Sequence, residues 1–197
     1  MYYTKLLIER IGHGDVFKDV AYKYSSEEIV YDFCVVLSQD CDLEQDVTAI
    51  RKLQEYKDGI FVPKENSQIP NNDKFINSVL LCPAFLIDSL REGSHLASLN
   101  WTMQGFSDKL WSRSSIKTND NPRYHYLKGG ETLPDLVIDF KRFFTIPRSE
   151  AYSMLSKRST RLDTLFRESA SQRFAAYLSR IALPEPTRDC EDSDTSG

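Results

Sequence analysis

Val35-Val36-Leu37-Ser38-Gln39-Asp40-Cys41-Asp42-Leu43-Glu44-Gln45-Asp46 decides how this chain is read. A run of β-branched and aliphatic residues stops abruptly in polar, acidic and thiol side chains. A strand end of this kind holds the backbone rigidly while the loop after it frees side chains for chemistry. Upstream, Ile29 to Leu37 is the strongest strand in the chain, and its continuous apolar end is typical of a strand buried on both faces. Gly12-His13-Gly14-Asp15 signals a turn, and Val16 to Tyr24 reads as a strand rich in Val, Phe and Tyr. Ser25-Ser26-Glu27-Glu28 separates the two strands, which predicts a hairpin opening a meander.

Downstream, Val47, Ile50 and Leu53 recur three apart and predict a helix over 46–56, ended by Gly59 and Pro63. Phe75 to Phe85 returns to strand. Ile87 to Arg91 and the stretch around Phe106 to Trp111 read as short helices in an insertion at about 86–118, which holds both tryptophans. Arg123 to Leu127 is a short strand, and Leu136 to Ile146 a longer one. Ser149 is placed to cap a helix, with Glu150 in its first turn. Leu162, Leu165, Phe166, Ala170, Phe174, Tyr177, Leu178 and Ile181 form one stripe, predicting a helix over 161–181. Pro184 and Pro186 stop it, and the acidic stretch 185–197 reads as a disordered tail. The expected architecture is α+β: a small, bent antiparallel β-barrel over 1–146 with a helical insertion, then C-terminal helices over 147–184 packed on it. A parallel doubly wound sheet is disfavoured, because strands and helices do not alternate regularly.

Composition narrows the function classes. Hydrophobic residues make up 41% and charged residues 27% of the 197 residues, ordinary values for a globular protein. No apolar run approaches the ~20 residues that span a bilayer, so no membrane contact is expected. The first residues carry charge too early for a signal peptide, and the cytoplasm is the expected compartment. Cys34, Cys41, Cys82 and Cys190 are widely spaced, and the three histidines do not supply paired ligands, so neither a metal site nor a cofactor is expected. The formal charge of -4 is uneven: the first 184 residues balance 24 acids against 24 bases, and 141–180 holds nine bases against three acids. That late basic region suits an anionic partner.

Several of these stretches resemble a known family. Gly14-Asp15-Val16-Phe17 followed by Val35-Val36-Leu37-Ser38 is similar to the opening of the PemK/MazF-like toxins, and Val79-Leu80-Leu81-Cys82-Pro83 to their next core strand. Ser38-Gln39-Asp40-Cys41-Asp42-Leu43, Arg123-Tyr124-His125-Tyr126-Leu127, Leu133-Pro134-Asp135-Leu136 and Gln172-Arg173-Phe174-Ala175 resemble a larger bacterial and phage-associated group with the same SH3-like barrel. The resemblance implies an SH3-like (PemK/MazF-like) fold and a place in a toxin or phage-defence system, with single-stranded RNA as ligand and a protein partner encoded nearby. This chain departs from the toxins in its long insertion and terminal helix. It also lacks their early Arg, since only Lys18 and Lys23 are basic between 16 and 24.

Two constellations carry candidate chemistry. Asp40 and Asp42 would act as base or hydrogen-bond acceptors at the barrel mouth, with Ser38, Gln39 and Cys41 as binding residues. The alternative is a turn in which both acids bond backbone amides and cap the next helix. Arg123 and His125, two apart on a strand, would share a face. There the Arg would stabilise a pentacoordinate phosphate, and the His would move a proton in metal-independent cleavage of RNA. Lys141 adds a basic contact. The alternative is a structural strand, with buried Asp139 taking Arg123 or Arg180 as its partner. Two functions remain open: a nucleic-acid-engaging component, endoribonuclease activity included, or a non-catalytic protein-interaction module. Neither composition nor motif sets the oligomeric state.

Overall fold

The computed structural model describes residues 3–4, 10–24, 27–57, 60–63 and 72–180, with the backbone alone at 3–4, 24, 54–57, 60–63 and 72. In chain order its elements are β1 (Tyr3–Thr4), β2 (Asp15–Tyr24), β3 (Glu27–Val36), α1 (Asp40–Leu53), β4 (Gln54–Lys57), β5 (Ile60–Pro63), β6 (Ser78–Leu86) and α2 (Ile87–Glu92). They continue with α3 (Asp108–Arg113), β7 (Tyr124–Leu127), β8 (Leu136–Asp139), β9 (Phe144–Pro147), α4 (Arg148–Ser153), β10 (Arg158–Leu162) and α5 (Thr164–Leu178).

The architecture is α+β, with one open antiparallel sheet in the order β1-β10-β2-β3-β6-β8-β7 and a separate β4-β5 pair. The hairpin read from the sequence is β2–β3, in register from Val16 against Val35 to Tyr24 against Glu27. The apolar end of β3 is buried on both faces, as its lack of alternation implied. Cys34 and Val36 face a core shared with Leu43 and Val47 of α1 and Tyr152 of α4. Val35 and Leu37 face the opposite one, shared with Cys82, Ile138, Leu162 and Phe174 of α5. Side chains alternate along a strand, so a strand between two layers must be apolar at every position.

Four sequence expectations are corrected. The single strand expected over Leu136 to Ile146 is broken by a 3-10 turn at Phe140–Arg142. Both pieces pair with β6, and the register advances by three residues across the break, the length of that turn. Asp139 causes the break locally, its carboxylate accepting from the Lys141 amide at 3.1 Å. The first helix begins at Asp40, six residues before the expected Asp46. Asp40 and Asp42 stand in its first turn, where negative charge complements the helix dipole. The next helix starts at Arg148 after Pro147, with no side-chain cap bond from Ser149. Finally, 158–162 is strand rather than helix, and α5 starts at Thr164 under an Asp163 cap. The expected stripe on α5 is thinner than read: Ala170 and Phe174 are buried, but Leu165 is 76% exposed. Ile181 and the acidic tail lie outside the described residues.

The insertion covers the β7 end of the sheet. Ile87, Leu90 and Ile116 pack with Tyr124 and Val137, and Phe106 meets Trp111 edge to face. Asn119 turns its amide onto β7, donating to the Tyr126 carbonyl and accepting from the Tyr126 amide at 2.6 Å. A side chain thereby takes the hydrogen bonds that an edge strand leaves open. No helix among the described residues is long and apolar enough to cross a membrane.

Candidate functional site

Charge concentrates where β2, β10, α1 and α5 begin or meet. Asp15 is fully buried at the start of β2. Arg161 grips it through Nε at 2.6 Å and a terminal nitrogen at 3.2 Å, Arg158 adds a contact at 3.0 Å, and the Gly12 amide donates at 2.8 Å. The two arginine side chains are only 4% and 3% exposed. Gly12 is required here, because a Cβ at that position would stand 2.2 Å from the Arg161 guanidinium. A buried carboxylate is tolerable only with partners of this quality.

One step outward, Asp40 repeats the pattern nearer solvent. Its carboxylate takes Arg10 at 3.0 Å and the His13 amide at 3.1 Å, while Arg167 stands off at 4.0 Å. Burial would raise this carboxyl, but the His13 amide and the Arg10 guanidinium, with Arg167 behind them, outweigh it and hold Asp40 below the usual carboxylate range. His13 is buried, with Nδ1 3.0 Å from the Ser38 carbonyl and Nε2 3.0 Å from the Arg167 carbonyl. Beside this cluster opens a groove of about 430 Å³ between the start of α1 and α5, lined by His13, Gln39, Asp40, Arg167, Glu168, Ser171, Gln172 and Ala175. That volume is in the usual range for ligand sites. Its wall offers cationic, anionic, amide and hydroxyl groups together.

The residues singled out in the sequence divide between this groove and the frame. Gln39 and Asp40 line the groove. Ser38 is structural, its hydroxyl accepting from the Leu80 amide at 2.8 Å and so closing β6 onto the end of β3. Cys41 and Asp42 are exposed on the first turn of α1, the thiol 3.6 Å from the Asp42 carboxylate. Lys141 is exposed and contributes its backbone amide to Asp139.

Arg123 and His125 lie elsewhere. Arg123 makes a bidentate pair with fully buried Asp139, at 2.8 and 2.6 Å, so of the two partners the sequence offered Asp139 it takes Arg123. His125 is 2% exposed, tilted against Phe140, with Nδ1 lacking a hydrogen-bond partner. Burial, with the Arg173 charge adding to it, pushes its pKa down to about 4. No hydrogen bond or ion pair joins this pair to Asp40 or Asp42 among the described residues; Arg123 is paired with Asp139, and Asp40 with Arg10. α5 touches both regions, since Arg173 donates to the Asn121 and Tyr124 carbonyls at 2.6 and 2.9 Å.

No protein-family model matches this chain, and no curated protein matches it. Among the described residues, no cluster of three His, Cys, Asp or Glu side chains is arranged to hold a metal ion.

Sequence reasoning passed over Arg10, Arg158 and Arg161, and read His13 only as part of a turn. The available signal was the Gly12-His13-Gly14-Asp15 turn itself. Two glycines around a His and an Asp at a strand start fit a backbone packed closely by large side chains. Gly14 bears this out, with φ of +79° and the Arg167 Cβ 2.8 Å from where its own Cβ would be.

Proposed function

We propose that this chain is a PemK/MazF-like, SH3-like barrel component of a cytoplasmic toxin or phage-defence system, and that it engages nucleic acid at the α1–α5 groove without cleaving it through Arg123 and His125. The barrel reading is supported by the antiparallel β2–β3–β6 meander and by β10, which returns to pair with β2. The observation that carries the functional reading is the contrast between the two constellations. Arg123 is committed to Asp139 and His125 is buried in its neutral form, whereas Arg167 faces an open groove with no carboxylate among the described residues nearer than 4.0 Å. General acid–base catalysis requires a group within reach of the substrate and ready to exchange a proton at working pH. His125 meets neither condition.

The test is fluorescence anisotropy with single-stranded RNA oligonucleotides of varied sequence, in EDTA, with gel analysis of the same samples. The wild type is expected to bind and to leave the RNA intact. Arg167→Glu should weaken binding about tenfold or more, because a phosphate contact becomes a repulsion. RNA cleavage that His125→Leu abolishes would reverse the assignment.

A second reading, the non-catalytic protein-interaction module, rests on the large apolar side chains that α5 leaves in solvent, Leu165 at 76% and Leu178 at 54% exposed. Failure to bind any RNA, together with stable co-purification of a protein encoded beside this one, favours that module.

A further inference from the structure

His13 faces two acceptors and has one proton too few, when neutral, to satisfy both. Its Nδ1 lies 3.0 Å from the Ser38 carbonyl and its Nε2 3.0 Å from the Arg167 carbonyl. A neutral imidazole carries hydrogen on one nitrogen only, so one of these contacts would set a lone pair against a carbonyl oxygen. Both are hydrogen bonds only in the imidazolium form. Ser38 precedes α1 and Arg167 lies in the first turns of α5, so the ring spans the two walls of the groove.

We propose that His13 is a proton-operated strap: charged, it holds α5 against the start of α1, and on deprotonation it keeps Ser38 and releases Arg167. The order of release follows from the backbone. Arg167 is interior to α5, where its carbonyl also accepts the helical N–H four residues on, so it remains satisfied when the ring lets go. Gly14, which admits the Arg167 Cβ to within 2.8 Å of where its own Cβ would stand, makes the close approach possible.

The charges around the ring belong to every element packed on it. Asp40 of α1 accepts the His13 amide, Arg10 pairs with the same carboxylate, and Arg167 and Glu168 of α5 share the groove. Asp15 of β2 and Arg161 of β10 form the closed pair beside Gly12. The arginines keep their charge throughout, and Asp40, held below the usual carboxylate range, is ionised at neutral pH. The consequence for ligand binding rests on the groove being the binding surface; the strap does not, and its test uses no ligand.

The experiment is a pH series from about 6 to about 8.5, spanning the range where imidazoles exchange protons. Nitrogen NMR of the histidine rings is combined with amide hydrogen exchange corrected for its intrinsic pH dependence. A Cys41→Ser background removes the thiol of the adjacent α1 turn. Burial pushes His95 down and His125 down to about 4, so the His125 ring stays neutral across the series, and the ring signal that disappears in His13→Gln identifies His13. At the acid end both His13 nitrogens are expected to carry hydrogen, with Nε2 losing it as pH rises. Exchange at residues 167–171 should rise at least about tenfold in step, the scale of losing a hydrogen bond from a charged donor. His13→Gln should make that exchange independent of pH. A His13 ring with hydrogen on one nitrogen at about pH 6, or α5 exchange with the same pH profile in wild type and His13→Gln, overturns the strap. Either result leaves RNA binding at the groove to be judged separately.

Discussion

Replacing Asp15 by alanine is expected to cost about 3–5 kcal/mol of folding stability, the usual consequence of removing one partner from a buried ion pair. The carboxylate is fully buried and receives Arg161, Arg158 and the Gly12 amide. Its loss strips a counter-charge from two arginines whose side chains are 4% and 3% exposed. Neither guanidinium can recover hydration without opening the β2–β10 pairing, which is only a few residues long. Urea unfolding followed by circular dichroism reads the effect, or shows that the variant does not fold. A cost below about 1 kcal/mol, the scale of a surface ion pair, would mean that water reaches both arginines.

The second large effect is a dependence on acid. His125 has a pKa near 4 in the folded chain against 6.5 unperturbed, because burial disfavours the imidazolium. Between those values the unfolded chain binds the proton and the folded one does not, so stability falls as pH drops through this window. The loss approaches about 3 kcal/mol by pH 4. His125→Leu should remove this contribution and leave a flatter stability profile between about pH 6.5 and 4.5. Carboxylates held low, such as Asp40 and Asp135, also weaken the fold in acid, but they are present in both proteins. Identical slopes in wild type and variant would show that the imidazole is not kept neutral by burial.

What could be read from sequence follows from where the chain signals its partners locally. β2, β3 and β6 are legible because apolar β-branched runs have few alternatives. The Arg123–Asp139 pairing is legible too, since an Asp inside Leu136 to Phe140 has to find a cation. β10 is not. Arg158-Ser159-Thr160-Arg161 looks like a solvated surface, and only Asp15, 146 residues from Arg161 in sequence, makes its burial possible. The start of α1 is misread for a related reason: Asp40 and Asp42 are common in turns and in first helical turns alike. Asp40's contacts with Arg10 and the His13 amide settle which, and they cross 30 and 27 residues. The groove depends on a longer link still, the 154 residues between His13 and Arg167. No local pattern carries such a contact, so Arg123 and His125, two residues apart and chemically suggestive, drew attention that the distributed cluster did not.

We propose the α1–α5 groove as the working surface, with Arg123 and His125 belonging to the frame. Hydrogen exchange of the purified protein with and without saturating single-stranded RNA, in EDTA, tests it most directly. Slower exchange is expected at residues 38–43 and 164–175, with 123–127 unchanged and the RNA recovered intact. Protection confined to 123–127, or RNA cut during the incubation with the groove unaffected, would contradict it.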